Sequence, residues 1–210
     1  MADAGPRRDV AAVLFDGFEL LDVFGPLELF GVLHDRFSLT LVGPAAGGVR
    51  SAQGPAALAS TSYEGAPEPD IVLVPGGIGT RALVEDRSFL GWLASWAGQA
   101  PVVASVCTGS AVLASAGLLD GYRATSNKRA FASVRAQGQG VEWVPQARWV
   151  EDRNRWTSSG VAAGMDMTLA LIARLYSDAL ASEVAARAEL EWHRDPNWDP
   201  FAALNGLVDP

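Results

Sequence analysis

Short apolar runs alternate along this chain with longer stretches in which apolar residues recur every three to four positions. The run at residues 10–15 is fully apolar and ends at Asp16-Gly17, so it predicts a strand closed by a turn. Residues 70–74, closed by Pro75-Gly76-Gly77, and residues 101–106 predict two more strands buried on both faces. Residues 37–42 form a further strand candidate, followed by a Gly/Ala/Pro-rich stretch with short β segments near residues 49–52 and 57–60. Helical spacing predicts helices over residues 20–33, 89–96, 110–116, 128–135, 161–175 and 178–190. In the first of these, Gly25-Pro26 is expected near the start, where proline is tolerated in a first turn. Residues 143–150 and 155–158 read as paired strands around an Asp152-Arg153-Asn154 turn. Strands alternating with helices define an α/β fold with a mainly parallel sheet and helices on both faces.

A chain of 210 residues suffices for one large domain, expected over residues 10–190, and no composition shift divides it. Residues 1–9 are polar and expected to be mobile. The aromatic tail, residues 191–210, is expected to pack on the domain or on a dimer partner, where Trp is enriched, and His193 to be a surface residue within it. The formal charge of −8 and the lack of a Lys/Arg cluster speak against a nucleic-acid partner. No apolar run is long enough for a signal peptide or a membrane span. With a single cysteine, no intramolecular disulfide can form, and a cytoplasmic address is expected. The two histidines, His34 and His193, have no zinc-type spacing, so no metal site is expected.

Chemistry enters with Cys107, which follows an apolar strand and precedes Thr108-Gly109-Ser110. A strand-to-helix bend of that kind exposes a nucleophile beside the orphan N–H groups of a helix start. The helix end is expected to favour the thiolate and to bring the thiol below the roughly 8.5 of a free cysteine. A small buried hydrophobe is the plain alternative. In parallel sheets ligands bind beyond the carboxyl ends of the strands, and three segments can meet there. They are Asp22 after the first strand, Gly76-Gly77 after the third, and Cys107-Thr108. The backbone N–H groups of Gly77 and Thr108 are candidate donors to an anion. Asp22 stands among apolar neighbours, where desolvation favours its neutral acid form, although a helix N-cap or a first-turn acid on a helix dipole accounts for it equally well.

The segments Leu21-Asp22-Val23-Phe24-Gly25-Pro26, Val74-Pro75-Gly76-Gly77, Ser105-Val106-Cys107-Thr108-Gly109-Ser110, Ala116-Gly117-Leu118-Leu119-Asp120-Gly121 and Gly160-Val161-Ala162-Ala163-Gly164-Met165-Asp166 resemble, in order, the blocks of the ThiJ/PfpI superfamily. Within it they are most similar to the isonitrile hydratase branch. The resemblance implies a flavodoxin-like three-layer sandwich, a homodimer and no cofactor. It further implies Cys107 as nucleophile, Asp22 as its carboxyl partner, Thr108 as a supporting residue, and Gly76 and Gly77 beside the anion pocket. Gly160 and Val161 would face the cysteine. Protease-like and glutaminase-like relatives place a histidine shortly after the Leu-Asp-Gly block, whereas Asn127 stands here, which disfavours peptidase and glutaminase chemistry.

The activity so implied is addition of water to an isonitrile through a covalent thioimidate, giving an N-substituted formamide. Glyoxalase-type or other specialised-metabolism chemistry on the same cysteine is one alternative, and a cysteine-oxidation sensor or ligand-binding module is another. Some family members precede a DNA-binding domain. With the chain ending at Pro210, a standalone transcription factor is not expected. Lys128 and Arg129 are read as a solvated helix start. Glu19 and Glu28 are read as helix-surface charges, with Glu19 close enough to Asp22 to serve as its substitute.

Overall fold

The computed structural model describes residues 7–209; of the N-terminus expected to be mobile, residues 1–6 lie outside the described residues, and Arg8 and Asp9 already belong to the first strand. The strands are β1 (Arg8–Val13), β2 (Phe37–Gly43), β3 (Gly47–Arg50), β4 (Ala56–Ala59), β5 (Thr61–Ser62), β6 (Ile71–Val74), β7 (Val102–Ser105), β8 (Arg123–Ala124), β9 (Glu142–Trp143), β10 (Trp149–Asp152) and β11 (Arg155–Ser158). The helices are α1 (Leu20–Val32), α2 (Thr80–Leu83), α3 (Arg87–Ala97), α4 (Gly109–Ser115), α5 (Phe131–Val134), α6 (Ala163–Leu175), α7 (Asp178–Arg187) and α8 (Pro200–Leu204).

Seven strands form one sheet in the order β10-β11-β7-β6-β1-β2-β5. Every neighbouring pair is parallel except β10 with β11. The central strands β6, an unbroken Ile/Val/Leu run, and β7, Val-Val-Ala-Ser, are buried at every residue, as strands covered on both faces require. Helices α1, α6 and α7 pack together as one group and α2, α3 and α4 as another. The result is a flavodoxin-like α/β sandwich with a core of Val, Leu, Ile and Phe. Because the strands run parallel, the ends of β1, β6 and β7 open on one rim, and that rim carries the candidate chemistry.

Several boundaries differ from the sequence reading. Pro26 lies inside α1, well past its first turn, rather than near the helix start. Trp143 and Trp149 belong to separate strands, because Pro145 breaks the run between them; β9 pairs with β8 in a small sheet of its own, while β10 makes the expected hairpin with β11. Residues 161 and 162 stay outside α6, since Val161 has φ +30°. The helix expected over residues 128–135 shrinks to α5, and Lys128 before it is buried instead of solvated.

Candidate active site

Cys107 occupies the bend between β7 and α4 with φ +57°, a left-handed conformation that a non-glycine residue holds only when its surroundings enforce it. The enforcement is visible on both sides of the residue. Its N–H donates to the Ser159 carbonyl at 3.0 Å. Its own carbonyl accepts from the Ser126 hydroxyl at 2.9 Å and from the Ser110 hydroxyl at 3.2 Å. The backbone is thereby clamped, and the side chain, 7% exposed, lies at the floor of the rim instead of projecting from it.

Three groups donate toward the sulfur: the backbone N–H of Thr108, the backbone N–H of Val161 and the side-chain amide of Asn127. Val161 reaches it from a strained loop, its φ of +30° being a rare conformation for a β-branched residue. Asn127 is the neighbour of the cysteine that sequence reasoning missed. It entered only as the residue standing where relatives carry a histidine, yet its side chain is brought directly to the thiol. Gly160 makes that approach possible, because a Cβ at position 160 would stand 2.6 Å from the Asn127 amide nitrogen.

Asp22 enters from α1, with no exposed surface. Glu19 holds the N-cap position, and Asp22 lies in the first turn of α1, where the first-turn alternative placed it. One carboxyl oxygen, Oδ2, accepts from the Gly76 N–H at 2.8 Å. The other, Oδ1, is buried without a nitrogen or oxygen partner, and the side chain that hydrogen-bonds with the carboxyl is the Cys107 thiol. Gly76 can be nothing larger, since a Cβ there would meet the Thr108 nitrogen at 2.6 Å and Asp22 Oδ2 at 2.8 Å. The Gly77 N–H, expected to point at an anion, donates instead to the Thr108 hydroxyl at 3.1 Å. That contact ties the β6 and β7 ends together and leaves the Thr108 and Val161 amides as the donors at the sulfur.

The electrostatics correct the expectation of a low-pKa thiolate. Burial pushes the Cys107 thiol up to about 12, and the Asp22 charge adds to the rise; the N–H donors of Thr108 and Val161 and the Asn127 amide offset only part of it. Burial likewise raises the Asp22 carboxyl from 3.8 to about 7, with a further rise from Glu19 opposed by the Gly76 N–H and the thiol. Two acids this close titrate as one unit. Above about 7 the pair retains a single proton, held mainly by the sulfur, whose pKa is the higher, with the ionised carboxyl beside it.

The remaining candidates lie apart. Glu28 is exposed on α1, and His193 is exposed in the tail, where its backbone N–H donates to Asp166. Glu19 acts on Asp22 through its charge while its carboxylate accepts from the Gln53 amide at 2.7 Å. Among the described residues no group of three or more His, Cys, Asp or Glu side chains could hold a metal ion. None of the described helices is long and apolar enough to cross a membrane.

A parallel sheet with a clamped cysteine at the β7–α4 bend and a buried carboxyl from α1 defines the class, and the chain belongs to the DJ-1/PfpI family, whose profile matches residues 8–174. It is 35% identical over 204 residues to the isonitrile hydratase of Pseudomonas putida, a match covering 95% of this chain and 86% of that protein. It is also 32% identical over 186 residues to the HTH-type transcriptional regulator GbdR of Pseudomonas aeruginosa, covering 85% of this chain but 49% of the regulator. Among solved structures, a THiJ/PfpI family protein from Pseudomonas syringae superposes with a TM-score of 0.79 at 30% identity, covering 100% of this chain and 88% of its own. The family resemblance read from the sequence blocks therefore holds.

Proposed function

We propose that this protein is a cysteine-dependent hydratase that adds water to an isonitrile and releases an N-substituted formamide. The observation that carries the reading is the buried Cys107–Asp22 pair, in which carboxyl and thiol act on each other's protonation while Asp22 Oδ1 has no hydrogen-bond partner of its own. In the one-proton state the thiol passes its proton to the Asp22 carboxylate as the sulfur attacks the terminal isonitrile carbon, and the carboxyl then protonates that same carbon. The product is a thioimidate bonded to Cys107, with Asp22 now ionised. Asp22 then takes a proton from water as the water oxygen adds to the thioimidate carbon, and passes it to the substrate nitrogen. Collapse of the adduct breaks the carbon–sulfur bond, returns the hydroxyl proton to Asp22 and frees the formamide. The charge that appears on sulfur at each end of the cycle meets the Thr108 and Val161 N–H groups and the Asn127 amide.

The similarity to the Pseudomonas putida isonitrile hydratase over 95% of the chain supports this substrate class. Exposed Leu21, Phe24 and Leu39 around α1 support a homodimer as the working unit. The similarity to a regulator favours a second reading, a ligand-binding module, but a thiol raised to about 12 is poorly suited to sensing by oxidation, which needs thiolate. The test is turnover of an aryl isonitrile with the formamide product quantified. Cys107→Ala is expected to abolish it and Asp22→Asn to reduce it by two or more orders of magnitude; turnover that survives loss of the sulfur overturns the mechanism.

A further inference from the structure

Against the residues that hold the cysteine lies a cavity of about 380 Å³ whose walls include Asn127, Gly160, Val161, Ala162, Phe201 and Asn205. Two of these, Asn127 and Val161, also donate toward the Cys107 sulfur, so the cavity and the cysteine share two wall residues. The opposite wall comes from the far end of the chain, and that segment is fastened at three points. The His193 N–H donates to Asp166 Oδ1 at 3.0 Å, on the helix that follows residues 160–162. The Pro196 carbonyl accepts from the Arg148 N–H at 2.8 Å. Asp199 caps α8 by accepting from the Phe201 N–H at 3.0 Å, and its other oxygen lies 4.0 Å from the Lys128 ammonium with both side chains shielded from solvent. Ala202 is fully buried, whereas Phe201, one position earlier, is 53% exposed where it lines the cavity. A large aromatic side chain left that open at a cavity wall, on a segment so firmly held, is a surface kept for contact.

We propose that α8 forms the specificity wall of the substrate chamber, with Phe201 and Asn205 selecting isonitriles by the size and apolar character of the group on nitrogen. This rests on the proposed hydratase reading for the identity of the substrate, but not for the existence of the chamber. The occupant is a compact apolar substituent. The chamber is lined mainly by carbon, and the Lys128 ammonium on its border is turned away to the Thr125 hydroxyl at 2.8 Å and the Ala147 carbonyl. An amide proton of Asn205 is bonded to the Phe201 carbonyl at 2.8 Å. Of the two cations in the lining, Lys128 is thus engaged inside the protein, while Arg129 stands exposed.

The test compares the rates at which N-methylmaleimide and N-cyclohexylmaleimide add to Cys107, followed by intact mass in the full-length protein, with isonitrile turnover measured in parallel. Phe201→Ala is expected to change the cyclohexyl-to-methyl rate ratio by about tenfold, the scale on which one lost apolar contact discriminates. Phe201→Trp is expected to lower the ratio by filling the chamber, and Asn205→Leu to raise it. Kinetics with cyclohexyl and methyl isonitriles should shift in the same directions. A maleimide ratio unchanged within twofold in both Phe201 variants overturns the chamber assignment. Ratios that move in a protein that turns over no isonitrile overturn the hydratase reading and leave the chamber standing.

Discussion

The Lys128 ammonium stands 4.0 Å from Asp199 Oδ2, and neither side chain reaches solvent. The pair joins the segment that carries Asn127 to the cap of α8, so it couples the cysteine's donor to the chamber wall. Removing one partner of such a pair strands a buried charge, at a cost of about 3 kcal/mol or more. Lys128→Met also removes the donor to Thr125 and Ala147. Chemical denaturation should show a loss of that size for Lys128→Met, with partial recovery in Lys128→Met/Asp199→Asn; additive losses in the double variant would show that the two charges do not interact.

Activity should follow the proton count of the Cys107–Asp22 pair. Below about 7 both groups hold protons and Asp22 cannot accept the thiol's; above it the carboxylate can take that proton as the sulfur attacks. The logarithm of kcat/KM for an isonitrile should therefore climb with unit slope as pH approaches about 7 and level off above it. In Asp22→Asn that inflection should vanish together with most of the rate. A wild-type profile flat from about pH 5 to 9 would separate the carboxyl from the chemistry.

The same carboxyl leaves a mark on stability, with the sign set by its raised pKa. Asp22 is neutral in both states below 3.8, ionises in the unfolded chain above that, and stays protonated in the folded chain until about 7. Folding thus retains a proton between those values, and stability falls as pH rises through the window. The full difference is about 4 kcal/mol, since each pH unit corresponds to about 1.36 kcal/mol. Asp22→Asn cannot ionise, and Asn can still accept from the Gly76 N–H. Its melting temperature should exceed that of the wild type at pH 8 by more than at pH 4, and equal differences at both would contradict a buried, ionising Asp22.

Much of this arrangement could be read from residue order. Buried parallel strands such as β6 and β7 announce themselves as unbroken apolar runs, and parallel strands put their carboxyl ends on one rim, so Asp22, Gly76 and Cys107 were bound to meet. Three features could not be read this way. Lys128 looks solvated in sequence because nothing near it is acidic; its partner Asp199 arrives from the tail. The Cys107 pKa follows from desolvation and the Asp22 charge, both of which depend on three-dimensional packing and outweigh the helix end that the sequence does reveal. Asn127 carries no motif of its own, and its role appears only because the loop at residues 160–162 folds back over the cysteine with Val161 strained into place.

That loop offers the sharpest test of Asn127. A Cβ at position 160 would fall 2.6 Å from the Asn127 amide nitrogen, closer than atoms tolerate, so in Gly160→Ala the amide must move off the sulfur. Gly160 sits in no helix or strand, and the glycine is not in a left-handed conformation, so the backbone itself accepts alanine. Stability should then change by less than about 1 kcal/mol, while kcat falls roughly ten- to hundredfold, as expected when a positioned donor is displaced by about an ångström. Asn127→Ala should reproduce the kinetic loss, and Gly160→Ala/Asn127→Ala should be no slower than Asn127→Ala alone, because the two changes remove the same contact. If Gly160→Ala turns over at the wild-type rate, the Asn127 amide is not needed at the sulfur, and the Thr108 and Val161 N–H groups hold the anion by themselves.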